Sequence, residues 1–226
     1  MKKKDVITGD LMKPGLTIVG LSSTGRAGYE NAENSGIGSN GLTSARHDML
    51  SRYYEETYPE SYDANVSREL VYCGPYRLED PLPGSDMTVG QAILSPTRTY
   101  APVIYELLDG YPGLIRGLIH CSGGGQTKCL KFGRNVHFIK DNLFSLPAVF
   151  KAIQKASQTD WKEMYKVFNM GHRMEVYCED DRADTVIAAA ENFGIEARII
   201  GRTEKSTSGN RLSLTHGAEV FEYRPQ

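Results

Sequence analysis

The residues best suited to chemistry in this 226-residue chain gather around one stretch, Gly117 to Lys131. It reads Gly-Leu-Ile-His-Cys-Ser-Gly-Gly-Gly-Gln-Thr-Lys-Cys-Leu-Lys. Leu118 and Ile119 suit a short buried strand, His120 leaves it, and Gly123, Gly124 and Gly125 follow. Glycines reach φ > 0 without steric cost and let a ligand approach the backbone. Several amide N–H groups can then converge on one anion, and Lys128 adds a positive charge one turn later. The competing reading is a tight structural turn. Three successive glycines lose much backbone entropy on folding, which asks for close approach by a ligand or a neighbouring backbone. His120 divides the same way, between a functional group and a satisfied structural histidine.

Two further small-residue loops share this character, Ser22-Ser23-Thr24-Gly25 and Gly38-Ser39-Asn40-Gly41, and Asn169-Met170-Gly171 breaks another element. Gly36 to Gly41 matches Gly-x-Gly-x-x-Gly. A dinucleotide site is rejected, because that motif follows a strand directly and needs an acidic residue about 20 positions later in a βαβ unit. An Asn-rich loop precedes it here and a helix follows, so a phosphate-binding helix start is what remains. Thr97-Arg98 precedes another helix, where a cation opposes the helix dipole. An anionic ligand, a salt bridge and a solvated surface all remain open for Arg98. The histidines are His47, His120, His137, His172 and His216, with no two at metal-ligand spacing. His47 and His216 read as surface residues. No Gly-x-Ser-x-Gly elbow and no Walker loop occurs, and carboxylates clustered to hold Mg²⁺ are not evident.

The elements that must position these residues come next. Leu16 to Leu21 reads as a buried strand after the turn signal Lys13-Pro14-Gly15, with Met1 to Ile7 as a partial strand. Arg26 to Gly36 lacks apolar periodicity and is expected to be exposed and mobile. One long helix is predicted from Leu42 to Tyr58, with Leu42, Ala45, Met49 and Tyr53 inward and Pro59 ending it. Glu60 to Met87 reads as an irregular insertion with a short element near Glu69 to Tyr72 and tyrosines that pack. Helices are expected at 100–109, 148–157, from Thr159-Asp160 onward, and at 181–193 with Gly194 beyond the end. Strands are expected at 135–139, 173–178 and 195–201, with a hairpin of 211–215 and 219–223 around His216-Gly217. This order predicts an α+β fold of α/β layers, a mixed β-sheet flanked by helices.

Composition narrows the function classes. Net charge is −2 and the pI is about 6.2, so there is no basic excess for nucleic acid. Cys73, Cys121, Cys129 and Cys178 form no Cys-x-x-Cys pair, and free thiols in a reducing cytoplasm are expected. No apolar run approaches the roughly 20 residues of a membrane span, and no secretory signal opens the chain. The residues alone point to an α/β domain that binds an anionic, phosphorylated small molecule.

Seven motifs in order carry a resemblance: Lys13-Pro14-Gly15, Gly20 to Gly25, Ser39-Asn40-Gly41, Leu94 to Tyr100, Ile119 to Gly125, Met164 to Gly171, and Ile200-Gly201. In these the chain resembles the C-terminal half of phosphoribosylformylglycinamidine cyclo-ligases, the AIR synthetases of purine biosynthesis. The wider superfamily includes kinases of thiamine phosphate, but Phe168-Asn169-Met170-Gly171 and Pro96-Thr97-Arg98 favour the cyclo-ligase. The resemblance implies an ATP-dependent ring closure. The formyl oxygen of formylglycinamidine ribonucleotide is phosphorylated, an amidine nitrogen attacks that carbon, and phosphate leaves to give aminoimidazole ribonucleotide, ADP and phosphate. It implies His120, Arg98 and Asn169 as catalytic candidates. Ser122, Gly123, Gly124, Gly125, Ser39, Asn40, Gly41 and Thr97 are the binding candidates, with no metal ligand on this chain. ATP and Mg²⁺ are implied mostly through an N-terminal half, of which residues 1–15 would be the remnant and 16–226 the C-terminal domain, in a cytoplasmic homodimer. Three departures stand out. Gly38 occupies the place where many members have His. Lys128-Cys129-Leu130-Lys131-Phe132 replaces Glu-Asn-Ile-Pro-Arg. The N-terminal half is not in the sequence. A non-catalytic phosphate- or nucleotide-binding module is the alternative.

Overall fold

A computed structural model describes residues 6–39 and 41–225. Seven strands form one sheet: β1 Thr17–Ser22, β2 Gly117–His120, β3 Val136–Lys140, β4 His172–Cys178, β5 Ala197–Lys205, β6 Arg211–His216 and β7 Glu219–Tyr223. Their order is β2-β4-β1-β5-β3-β6-β7. Every pairing is antiparallel except β3 with β6, so the sheet is mixed, as expected. The helices are α1 Leu42–Met49, α2 Tyr53–Thr57, α3 Val89–Ile93, α4 Ala101–Gly110, α5 Ala148–Ser157, α6 Trp161–Val167 and α7 Ala183–Glu191.

Both faces of the sheet are covered, which is why β1 is buried along its whole length and reads as an unbroken apolar run. Val19, Leu21, Val176 and Cys178 face Val103 and Leu107 of α4 and Val186 and Ala190 of α7. Ile18, Phe138, Tyr177 and Ile200 face the other core, with Met49 of α1, Phe150 and Ile153 of α5, and Met164 of α6. The hairpin turns at Gly217, whose φ is +61°.

Several expectations are corrected. The long helix breaks at Leu50, which is extended at φ −83° and ψ 145°. Tyr76 N donates to Met49 O and Ser51 N donates to Tyr76 O, both within normal hydrogen-bond length, so a tertiary pairing replaces the helical bonds. The break turns Tyr53 outward to 39% exposure and buries Tyr54 instead. The 26–36 loop is exposed at residues 26, 28, 29 and 31–33, as expected, but it is pinned at Ala27 and at its C-terminal end. Ala27, Asn34 and Ser35 are buried, and Asn34 Nδ2 and Ser35 Oγ donate to Pro96 O and Ala92 O. His47 is buried rather than superficial, its Nδ1 accepting from Tyr72 N at 3.3 Å. His216 is half-buried among the rings of Trp161, Tyr165 and Phe221. The partial strand at Met1 to Ile7 lies mostly outside the described residues, and Val6 and Ile7 carry no strand. Thr88 and Gln91 form a capping box that starts α3, which periodicity did not reveal.

Candidate functional site

One edge of the sheet gathers the small-residue loops. β1 and β2 end there and β4 begins there, because both pair antiparallel with β4: Ser22 lies opposite His172 and His120 opposite Met174. Loops 22–25, 36–41 and 121–125 therefore emerge beside the 168–171 turn. Asn169, 1% exposed, ties them. Its Oδ1 accepts from Ser23 Oγ at 2.8 Å and Gly171 N at 3.1 Å, and its Nδ2 donates to Gly36 O at 2.8 Å. Its backbone carbonyl accepts from Gln126 Nε2 at 2.5 Å, just past the triple glycine.

Two glycines are required by this packing. A Cβ on Gly41 would stand 2.5 Å from the Phe168 ring, and one on Gly125 would stand 2.6 Å from the carbonyl oxygens of Phe168 and Tyr165. Gly123, by contrast, has nothing within 4 Å of a would-be Cβ and faces open space. Both readings of the triple glycine thus hold at different residues: Gly125 serves backbone packing and Gly123 leaves room for a ligand.

The other expected residues divide. Ser39 N donates to Thr97 Oγ1 at 3.2 Å, so those two meet. Asn40 lies outside the described residues. Lys128 Nζ donates to Ser122 Oγ at 3.0 Å, which holds the ammonium over the glycine loop. His120 is half-buried, its ring 6.5 Å from that of Tyr100, and among the described residues its imidazole has no hydrogen-bond partner. Burial, then the charges of Arg173 and Lys128, push its pKa down, so it is neutral at pH 7. Arg98 behaves differently from a ligand contact. It is 3% exposed and all five of its donors are used. Nε and Nη2 grip the Glu30 carboxylate at 2.9 and 2.7 Å, and the remaining bonds go to Ser22 O, Thr24 O and Gly25 O. Arg98 is the post on which loops 22–25 and 26–36 hang, and no donor is left for substrate.

Residues 13–212 match the family described as AIR synthase related protein, C-terminal domain. The chain belongs to that AIR synthase-related family. The phosphoribosylformylglycinamidine cyclo-ligase of Methanopyrus kandleri is 32% identical over 201 residues, 89% of this chain and 47% of that protein. The enzyme of the same name from Methanocaldococcus jannaschii is 30% identical over 99% of this chain and 54% of its own length. The chain thus spans about half the length of the curated relatives it matches. A solved chain of the HypE–HypF complex shares the fold, with a TM-score of 0.51 at 17% identity over 97% of this chain and 55% of that one. Among the described residues, no helix is long and apolar enough to cross a membrane.

Behind the family's glycine loop lies a buried polar cluster that sequence reasoning missed. Glu175 of β4 accepts from the Lys140 ammonium of β3 through Oε1 and from Tyr177 OH through Oε2 at 2.6 Å. His172 Nε2 at 3.2 Å and Cys121 Sγ at 3.3 Å complete its shell. Lys140 also donates to the backbone and side-chain oxygens of Gln126. Burial alone would raise the Glu175 pKa, but the Lys140 charge and the His172 bond outweigh it and hold the carboxyl low. Cys121, His172 and Glu175 are close enough to share a metal ion. Their soft and mixed donors do not suit Mg²⁺, which takes oxygen ligands, and the Lys140 ammonium already supplies the cation at Glu175. All four cysteines are free thiols.

Proposed function

We propose that this chain is the substrate-side half of a phosphoribosylformylglycinamidine cyclo-ligase, working with an N-terminal half that holds ATP and Mg²⁺. The observation that carries the reading is the convergence of three small-residue loops on Asn169 at one sheet edge, in a chain of this family. Open amides around Gly123 and the Lys128 ammonium suit the phosphate of formylglycinamidine ribonucleotide. His120, neutral and without a hydrogen-bond partner for its imidazole among the described residues, can accept the proton that the amidine nitrogen loses as the ring closes. ATP supplies the phosphoryl group that turns the formyl oxygen into a leaving group. The Cys121, His172 and Glu175 group does not suit Mg²⁺, so this reading assigns the Mg²⁺-dependent step to the other half. A cytoplasmic homodimer is the assembly this reading expects.

The test is calorimetric titration of the chain with formylglycinamidine ribonucleotide, followed by addition of the N-terminal half of a curated relative with ATP and Mg²⁺. Binding to the chain and formation of aminoimidazole ribonucleotide by the pair are expected, with His120→Gln sparing binding and reducing turnover by about 10²-fold or more. Absence of ring closure by a pair that binds both substrate and ATP refutes the reading. A non-catalytic phosphate-binding module is the second reading, for which the open Gly123 and the Lys128 ammonium on Ser122 would suffice. It expects tight binding and no turnover with any partner half.

A further inference from the structure

Two arginines lie in the interior, and they are treated oppositely. Arg98 is neutralised by Glu30 and saturated with acceptors. Arg173, at the start of β4 and 1% exposed, has no carboxylate within ion-pair distance among the described residues. Its Nη2 donates to Ile37 O at 2.5 Å and weakly to Gly36 O at 3.4 Å, while Nη1 is buried with no hydrogen-bond partner. A buried guanidinium without a countercharge is strongly unfavourable, and an orphan buried donor calls for an explanation. Folding does not supply one, because an apolar side chain would fill the same space at lower free energy.

The surroundings show what the charge is for. Gly38 is pressed against the guanidinium so closely that any Cβ there would overlap it. Tyr100 and Cys121, both uncharged at neutral pH, lie beside it. Cys121 N donates to Arg173 O at 2.6 Å, which ties this residue to the mouth of the triple-glycine loop. His120, held neutral partly by Arg173 itself, completes the group with Lys128 on Ser122. The site thus carries two permanent cations that no acid of the described chain neutralises, next to open glycine amides.

We propose that Arg173 is the phosphate-recognising residue of this site, its Nη1 edge donating to a phosphate monoester dianion that Lys128 and the Ser122–Gly125 loop hold from the other side. The proposal rests on the reading that this sheet edge holds the phosphorylated substrate. In this structure residues 36–39 cover the guanidinium. Gly36 and Gly38, at φ +87° and +55°, give that stretch the freedom to re-seat as the anion arrives. The 5′-phosphate of a ribonucleotide and free inorganic phosphate share this chemistry, and separate arms of the test distinguish them.

The experiment is calorimetric titration of the whole chain with ribose 5-phosphate and with inorganic phosphate, for wild type, Arg173→Met and Arg173→Lys. Thermal melts and the NMR titration of the His120 ring accompany it. Wild type binds ribose 5-phosphate, and Arg173→Met loses at least tenfold in affinity while melting no lower than wild type. Arg173→Lys, which keeps the charge but not the fork, loses less. The His120 pKa rises when ligand is added to wild type, and it rises in Arg173→Met without ligand. Inorganic phosphate bound as tightly as ribose 5-phosphate supports a site that reads the phosphoryl group alone, and weaker binding supports the ribonucleotide as its source. Unchanged affinity in Arg173→Met overturns the proposal and leaves the substrate-half reading standing. A collapse of the melting temperature in both variants with affinity retained below it makes Arg173 structural and also overturns the proposal. Failure of wild type to bind either monoester or phosphate overturns this proposal together with the reading beneath it.

Discussion

Replacing Asn169 by alanine removes the side chain that fastens two loops to the 168–171 turn. Three hydrogen bonds disappear: from Ser23 Oγ and Gly171 N to Oδ1, and from Nδ2 to Gly36 O. All four residues are buried, so water does not replace the lost partners without rearrangement. Each bond contributes about 0.5–1.5 kcal/mol net, and an orphaned buried group costs about 1–3 kcal/mol. Gly36 O retains only the long Arg173 bond, and Ser23 Oγ can rotate to a new acceptor, so one orphan, Gly171 N, dominates. The expected loss is about 2–4 kcal/mol, a fall of roughly 5–15 °C in Tm for a domain of this size. Urea unfolding followed by circular dichroism measures the loss. Hydrogen exchange adds the spatial signature: peptides spanning 22–25 and 34–38 lose protection together, although eight residues separate them in sequence. A loss under about 1 kcal/mol, or deprotection of one loop alone, refutes the claim that Asn169 joins them.

The other predictions address charge. Lys140→Met leaves Glu175 buried without its ammonium and should cost about 3–5 kcal/mol in urea unfolding; a loss under about 1 kcal/mol means the pair is not the centre of the cluster. Arg98→Lys keeps the charge but loses the five-point grip, and should destabilise by about 2–4 kcal/mol and open the 24–36 loop to limited proteolysis. All five histidines have pKa values pushed below the ordinary one, with burial the leading cause. The unfolded chain therefore binds protons that the folded chain refuses as pH falls through about 6.5, and stability declines with acid there. The fully buried His172 alone allows a slope of up to about 1.4 kcal/mol per pH unit below about 6.5, so Tm should drop steadily from pH 7 to 5, and a flat or rising Tm refutes this.

Much of the fold was legible because its signals are local. β1 is a nearly unbroken apolar run, Arg173 to Cys178 of β4 alternates as a strand, Asp160 caps α6 by accepting from Lys162 N, and Gly194 closes α7 at φ +71°. The candidate site was legible as far as backbone chemistry reaches: small residues at Ser22–Gly25, Gly36–Gly41 and Gly123–Gly125, and Asn169 in a chain break. What those signals could not carry was the identity of each partner. The predicted helix 42–58 has sound periodicity, yet Tyr76 pairs with Met49 and Ser51 and wins over the propensity for helix at Leu50.

The charged residues divide most sharply between the two levels. The sequence by itself determined that glycine loops end several elements, that the chain has no basic excess, and that His120 stands where a strand meets the triple glycine. Only the tertiary structure decided which cations are neutralised. Lys140 meets Glu175 from 35 positions away, and Arg98 meets Glu30 from 68. In sequence Lys140 and Glu175 carry no motif that pairs them, and Arg98 leaves a ligand, a salt bridge and a solvated surface open. Burial strips their water, so each one's meaning depends on whether an acceptor waits at its place in the fold. Arg98 and Lys140 find theirs, and Arg173 is left with a donor for a ligand to satisfy.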